Sequence, residues 1–168
     1  DTEYAFSGGT GMSLDEVVEA VAGLGQHLVL VTGGEPLLQR ETPELCRRLL
    51  DAGHEVVLET SGAHDVGVLP AGVAKIVDLK APASGESGRN RWGNLDLLGP
   101  RDAVKVVLCD RADYLWALDV IRTRPRGGAE VLLSPVHGLL DPRDLCAWML
   151  ADRAPARLNL QLHKIVYG

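Results

Sequence analysis

The feature that most constrains this chain is a repeated alternation of short Val/Leu/Ile-rich runs with amphipathic segments. A brief apolar run bounded by turn residues reads as a buried strand, whereas apolar residues at i, i+3 and i+4 read as one helical face. Interleaved, the two make βα units and a parallel sheet. Ser13 and Glu16 have the spacing of a capping box, and Leu14, Val17, Val18, Val21 and Leu24 share one helical face before Gly25. An apolar strand is expected over 27–32. Thr42 is expected to cap the next helix, with Pro43 at its first position and Gly53 past its end.

The pattern continues with strands at 55–60, 75–79 and 103–108, and a helix capped by Asp110 over 111–123. A strand at 130–134, a helix opened by Asp141 and Pro142, and a last strand at 157–162 complete it. Near-continuous apolar runs predict strands covered on both faces. A closed eightfold barrel takes about 250 residues. Six strands in 168 residues therefore predict an α/β fold that is an open, partial parallel (β/α) barrel. The series opens on a helix, so the barrel's first strand is expected to be missing. One domain is expected to span 1–168, with the Gly-rich stretch 83–93 read as a loop over the site.

Charge narrows the partners. A net charge of −6 and a pI near 5.3 argue against non-specific nucleic-acid binding, which needs Lys and Arg to neutralise phosphates. The one basic cluster, Arg122, Arg124 and Arg126, falls at an expected helix end and reads as a cap. No apolar run reaches the roughly 20 residues that span a bilayer, so a cytoplasmic protein is expected. Cys46, Cys109 and Cys146 are scattered and odd in number, which predicts reduced thiols rather than a disulfide framework.

Ligands of parallel α/β folds bind beyond the carboxyl ends of the strands, and the unusual residues collect there. The first strand runs into Thr32-Gly33-Gly34-Glu35-Pro36, whose glycines allow close backbone approach to a ligand. Glu59-Thr60-Ser61-Gly62 closes the next strand. Asp78-Leu79-Lys80-Ala81-Pro82 closes the third, followed by Ser84-Gly85-Glu86. Ser134-Pro135-Val136-His137 and Gln161-Leu162-His163-Lys164 end the last two. Five polar strand ends around one rim make a pocket lining.

These residues carry a family resemblance. Thr32 to Pro36 resembles the Gly-Gly-Glu-Pro element of radical S-adenosylmethionine enzymes. Asp1-Thr2 with Tyr4-Ala5-Phe6, the Asp78 to Glu86 stretch, and Gln161 to Lys164 resemble 7-carboxy-7-deazaguanine synthases in particular. The resemblance runs nearly end to end. It implies a homodimeric enzyme converting 6-carboxy-5,6,7,8-tetrahydropterin to 7-carboxy-7-deazaguanine, with loss of ammonia, in queuosine biosynthesis. It further implies a [4Fe-4S] cluster, S-adenosylmethionine and Mg²⁺, with an electron donor such as a flavodoxin. By position, Thr2 would be the magnesium ligand, and Thr32 and His163 the substrate contacts. Asp1, Gly34, Asp78, Leu79, Lys80 and Ser134, Pro135, Val136 and His137 would face S-adenosylmethionine.

The resemblance has one gap. Soft thiolates hold iron–sulfur clusters, and none of the three cysteines stands where the cluster needs one. Cluster cysteines are expected just before Asp1, and without them the 168 residues are not expected to perform the radical reaction. Two other readings stay open: a lysine-dependent aldolase-like enzyme using Lys80 or Lys105, and a non-catalytic pterin-binding or nucleoside-binding module without a cluster.

Overall fold

The computed structural model describes residues 9–166 and contains one six-stranded sheet, all parallel, whose strand order follows the chain. The strands are β1 (Leu28–Val31), β2 (Glu55–Thr60), β3 (Ala74–Lys80), β4 (Ala103–Leu108), β5 (Glu130–Pro135) and β6 (Arg157–Leu158). The helices are α1 (Leu14–Gly23), α2 (Thr42–Asp51), α3 (Arg111–Thr123), α4 (Pro142–Ala151) and α5 (Leu162–Val166). This is the open, partial-barrel arrangement that the alternating pattern implies.

Local chemistry starts most helices where the sequence places them. Ser13 Oγ accepts the Glu16 amide at 3.3 Å, and the Glu16 carboxylate accepts the Ser13 amide at 2.7 Å, which completes the capping box of α1. Asp110 accepts the Asp113 amide at 2.9 Å to open α3, and Asp141 accepts the Arg143 amide at 2.8 Å to open α4. Each such cap contributes about 1 kcal/mol. Gly53, at φ 88°, takes the left-handed conformation that closes α2.

Three expectations need correction. Thr42 does not cap α2: Glu41 holds that position with no side-chain bond, and the buried Thr42 hydroxyl donates to the Pro36 carbonyl at 2.6 Å. A tertiary acceptor has displaced the local one. The last strand stops at Leu158, so His163 stands in the short helix α5 rather than at a strand end. Nor are the strands covered on both faces. Val56, Leu58, Val77, Leu79, Val104, Val106, Leu108, Val131 and Leu133 alternate onto one buried face. There they pack with Cys46 and Leu49 of α2, Tyr114, Ala117 and Leu118 of α3, and Leu145 of α4. The intervening residues, among them Val57, Glu59, Lys105 and Val107, form a half-buried second face.

That asymmetry fixes the register. Each fully buried Val or Leu is worth about 1.5–3 kcal/mol, and a one-residue slip would turn Glu59 or Lys105 into the helices. The stretch 83–93 is not a featureless loop: Pro82–Ser84, Ser87–Arg89 and Trp92–Leu97 form short 3₁₀ turns. Of the basic cluster, Arg126 caps α3 by donating to the Ile121 carbonyl at 2.9 Å, while the other two arginines engage other groups. Arg122 donates to the Asp152 carbonyl at 2.7 Å, and the Arg124 guanidinium lies 3.9 Å from the Trp92 ring centre. All three cysteines are free, and burial pushes the Cys46 thiol up to about 11.

Candidate active site

The carboxyl ends of β1, β2 and β3 are tied to one another by side chains. After β1 the backbone turns through Gly33 (φ 93°) and Gly34 (φ 53°), conformations that L side chains rarely adopt. Thr32 is exposed at the start of this turn. The turn carries Glu35 back toward β2, where its carboxylate accepts the Thr60 hydroxyl and the Ser61 amide, each at 2.7 Å. It also accepts the Leu37 amide at 3.0 Å. Partial burial alone would raise the Glu35 pKa. The Ser61 and Leu37 amides and the Thr60 hydroxyl outweigh it, and the group sits below its ordinary value. Glu35 is therefore a structural anion already supplied with donors, not a free charge for a ligand.

Gly62 (φ 73°) follows, and a Cβ there would lie 3.0 Å from the Asp78 carbonyl oxygen. Only glycine lets the loop after β2 close against β3. On the second face, Asp78 of β3 stands opposite Lys105 of β4 in register. Lys80 Nζ lies 2.9 Å from Asp78 Oδ2, and Lys105 Nζ lies 2.5 Å from Glu59 Oε1. Two carboxylates and two ammonium groups thus form a compact, charge-balanced cluster. Both lysines are ion-paired, so neither presents the free amine that Schiff-base chemistry uses.

One atom of the cluster is left over. Asp78 Oδ1 is buried and has no hydrogen-bond partner among the described residues. Burial pushes the Asp78 carboxyl up, with Lys80 pulling the other way. A buried carboxylate oxygen without a donor is costly, and a ligand N–H or O–H that reached it would supply the missing donor. Leu79, between Asp78 and Lys80, is fully buried in the core, so only its backbone faces the rim.

At the other end of the sheet, the buried Ser134 hydroxyl accepts a bond from the Asn159 side-chain Nδ2 at 2.8 Å. Pro135, His137, Leu140, Leu160 and Gln161 line a cleft of about 590 Å³ beyond β5, with His137 exposed. Asp1 and Thr2 lie outside the described residues, and His163 lies in α5. Among the described residues no three His, Cys, Asp or Glu side chains gather as a metal site.

Several residues that organise this rim escape sequence reading. Asn90 is buried; its Oδ1 accepts the Lys80 amide and its Nδ2 donates to the Lys80 carbonyl, both at 2.9 Å. Asn94, fully buried, donates to the carbonyls of Gly62 (3.2 Å) and His64 (2.7 Å) and accepts the Val66 amide at 3.2 Å. Asp113 of α3 accepts the Ala83 amide at 3.0 Å and the Cys109 amide at 3.1 Å. Their only sequence signal was polarity beside a helix start or within a turn-rich stretch.

Comparison with known proteins gives this geometry a family. No model of a known protein family matches the chain. It is 43% identical over 183 residues to a 7-carboxy-7-deazaguanine synthase of Koribacter versatilis, covering 99% of this chain and 81% of the relative. A protein of the same name from Chlorobaculum tepidum is 42% identical, covering 100% and 78%. One from Methanospirillum hungatei is 38% identical, covering 99% and 70%. Among solved structures, QueE from Escherichia coli superposes with a TM-score of 0.64 at 22% identity. That match covers 89% of this chain and 64% of the QueE chain, and it supports the fold.

Proposed function

Because the chain belongs to the 7-carboxy-7-deazaguanine synthase family, we propose that it converts 6-carboxy-5,6,7,8-tetrahydropterin to 7-carboxy-7-deazaguanine with loss of ammonia. This is a lyase reaction of the radical S-adenosylmethionine type, in queuosine biosynthesis. The observation that carries the reading is Asp78 Oδ1, a buried and unpartnered acceptor beside the Lys80 ammonium at the rim. S-adenosylmethionine brings complementary groups: ribose hydroxyls and an α-ammonium as donors, and a carboxylate for Lys80. The residues present fit that molecule. Bound beside a reduced cluster and cleaved with release of methionine, it would supply the 5′-deoxyadenosyl radical that takes a hydrogen atom from the pterin.

The chain's own residues bind and orient. Asp78 and Lys80 hold the two ends of a zwitterionic ligand, and the backbone at Gly34 allows its close approach. Pro135 and His137 line the cleft beyond β5, with Val136 between them in sequence. Thr32, exposed after β1, and His163 are the residues for the pterin ring, whose many donors and acceptors call for polar side chains. Thr2 is the residue for Mg²⁺, a hard ion that takes few protein oxygens and keeps its waters.

The chain's cysteines do not fit an iron–sulfur cluster, because Cys46 lies in α2, Cys109 between β4 and α3, and Cys146 in α4, and Cys46 is buried in the core. The three thiolates must come from outside these 168 residues. In the cluster-bearing enzyme, incubation with reductant, S-adenosylmethionine, Mg²⁺ and the carboxypterin should yield 7-carboxy-7-deazaguanine and ammonia by mass spectrometry. Cleavage of S-adenosylmethionine with no deazapurine formed would refute the assignment. Loss of magnesium activation in Thr2→Val, with the cluster's absorption intact, tests the metal ligand, and size-exclusion chromatography tests the homodimer.

A further inference from the structure

The geometry points to Asn90 as a positioning residue that sets the Lys80 side chain for S-adenosylmethionine; the inference rests on the reading of Lys80 given above. β2 and β3 pair only as far as Thr60 with Val77 on that side of the sheet. Beyond that register β3 continues through Asp78, Leu79 and Lys80, still paired with β4 but with no strand among the described residues on its β2 side. In a parallel sheet the N–H and C=O of one residue point to the same side, so Lys80 would present both groups to a gap. The Asn90 carboxamide fills that gap. It is a peptide group in miniature, taking the Lys80 N–H on Oδ1 and giving its own N–H to the Lys80 carbonyl, each at 2.9 Å. One side chain thus acts as a single rung of a strand that is not there.

The consequence reaches the ligand site because Lys80 is the last residue of β3. Its ammonium lies 2.9 Å from Asp78 Oδ2 and leaves Asp78 Oδ1 open. If the Lys80 backbone swings, the pairing changes, and so does the direction in which Asp78 offers its free oxygen. Asn90 is itself held from behind. The Arg91 amide donates to the Gly62 carbonyl at 3.0 Å, and Trp92 packs against Trp116 of α3 with ring centres 6.2 Å apart. The segment from Asn90 to Asn94 therefore laces the ends of β2 and β3 to a helix.

The test compares ligand affinities in the cluster-bearing enzyme by equilibrium dialysis, with thermal unfolding alongside. Asn90→Asp keeps the shape and the acceptor for the Lys80 amide but turns a second acceptor toward the Lys80 carbonyl. Asn90→Ser, shorter and milder, serves if that variant does not fold. Either should weaken S-adenosylmethionine binding about tenfold, while pterin affinity stays within about twofold. Asn94→Ser, which loosens the loop after β2 without touching Lys80, should lower the melting temperature and leave S-adenosylmethionine affinity within about twofold. Equal weakening of both ligands by the Asn90 variants, or unchanged S-adenosylmethionine affinity, overturns the inference. Lys80→Met separates the two layers. If it leaves S-adenosylmethionine affinity unchanged, the role of Lys80 itself fails; if it weakens binding while the Asn90 variants do not, only the positioning role fails.

Discussion

The Thr60 hydroxyl donates to Glu35 Oε1 at 2.7 Å, across 25 residues of sequence and from one strand end to the next. With the Ser61 amide on Oε2, this bond makes the glutamate of the Gly-Gly-Glu-Pro turn a latch between β1 and β2. The turn that presents Thr32 is rigid because of it. The carboxylate's role is thus architectural, and its effects should appear in stability before they appear in chemistry.

Glu35→Gln should destabilise the fold by about 1–3 kcal/mol, because its amide nitrogen faces a donor that previously had an acceptor. The pH dependence has a definite sign. The folded-state pKa of Glu35 is depressed below the ordinary 4.5, so its contribution is fully present above that pH and is lost as pH falls through the folded value. Thermal unfolding between neutral and acid pH should show this loss in the parent chain and a shallower one in the variant. Identical slopes would mean the latch does not hold.

Asp78→Asn tests the orphan oxygen. S-adenosylmethionine affinity should fall about tenfold or more as a charge-assisted bond becomes a neutral one. Burial raises the folded-state pKa of Asp78 above the ordinary 3.8. Native protein then binds the proton more tightly than unfolded chain, so this group costs stability as pH rises through its folded pKa. The asparagine variant should lack that cost, and its melting temperature near neutral pH should be no lower than the parent's. A large drop would make Asp78 a structural residue instead.

Thr32→Val and His163→Phe address the pterin contacts. Each should weaken substrate binding or turnover about tenfold, while uncoupled cleavage of S-adenosylmethionine survives. If coupled and uncoupled cleavage fall together, these residues serve the cofactor or the fold.

Thiol labelling reads the core directly. Cys46 is fully buried, with its thiol pushed up to about 11, so it should resist alkylation until the chain unfolds. Cys109 and Cys146 are only half-buried and should label first. Early modification of Cys46 would show that α2 opens locally.

How much of this was legible in sequence depended on whether the deciding interaction was local. Helix α3 runs from Arg111 to Thr123 as its pattern predicts, because Asp110 and the apolar spacing act within a few residues. The edges of β2 and β4 were equally clear. Thr42 was misread because its best acceptor, the Pro36 carbonyl, comes from a preceding turn. The last strand was drawn too long because the apolar residues after Leu158 suit a strand and a short helix equally well. The strand-end segments were visible as candidate lining, but the tasks within them were not. Glu35 proved a latch between strand ends, and the fully buried Leu79 side chain turns away from the rim. Asn90 and Asn94 were invisible because a buried amide's value lies in which backbone groups stand opposite it, and those are set by the sheet.

The strand order, which follows the chain from β1 to β6, also bears on how such a molecule is made. Each strand after the first finds its earlier partner already synthesised, across a connection of no more than about 30 residues. No strand has to wait for one beyond its neighbour in the chain, so each closure spans a single βα unit, and its entropic cost grows only slowly with that length. The sheet can grow on the emerging polypeptide one βα unit at a time. The rim ties then join after their strands: Glu35 engages once Thr60 and Ser61 arrive, and Asn90 docks on Lys80 as soon as the following turn is built. The strand order allows the ligand-binding edge to assemble in the sequence in which its parts are made, the Gly33-Gly34 turn before the cleft beyond β5.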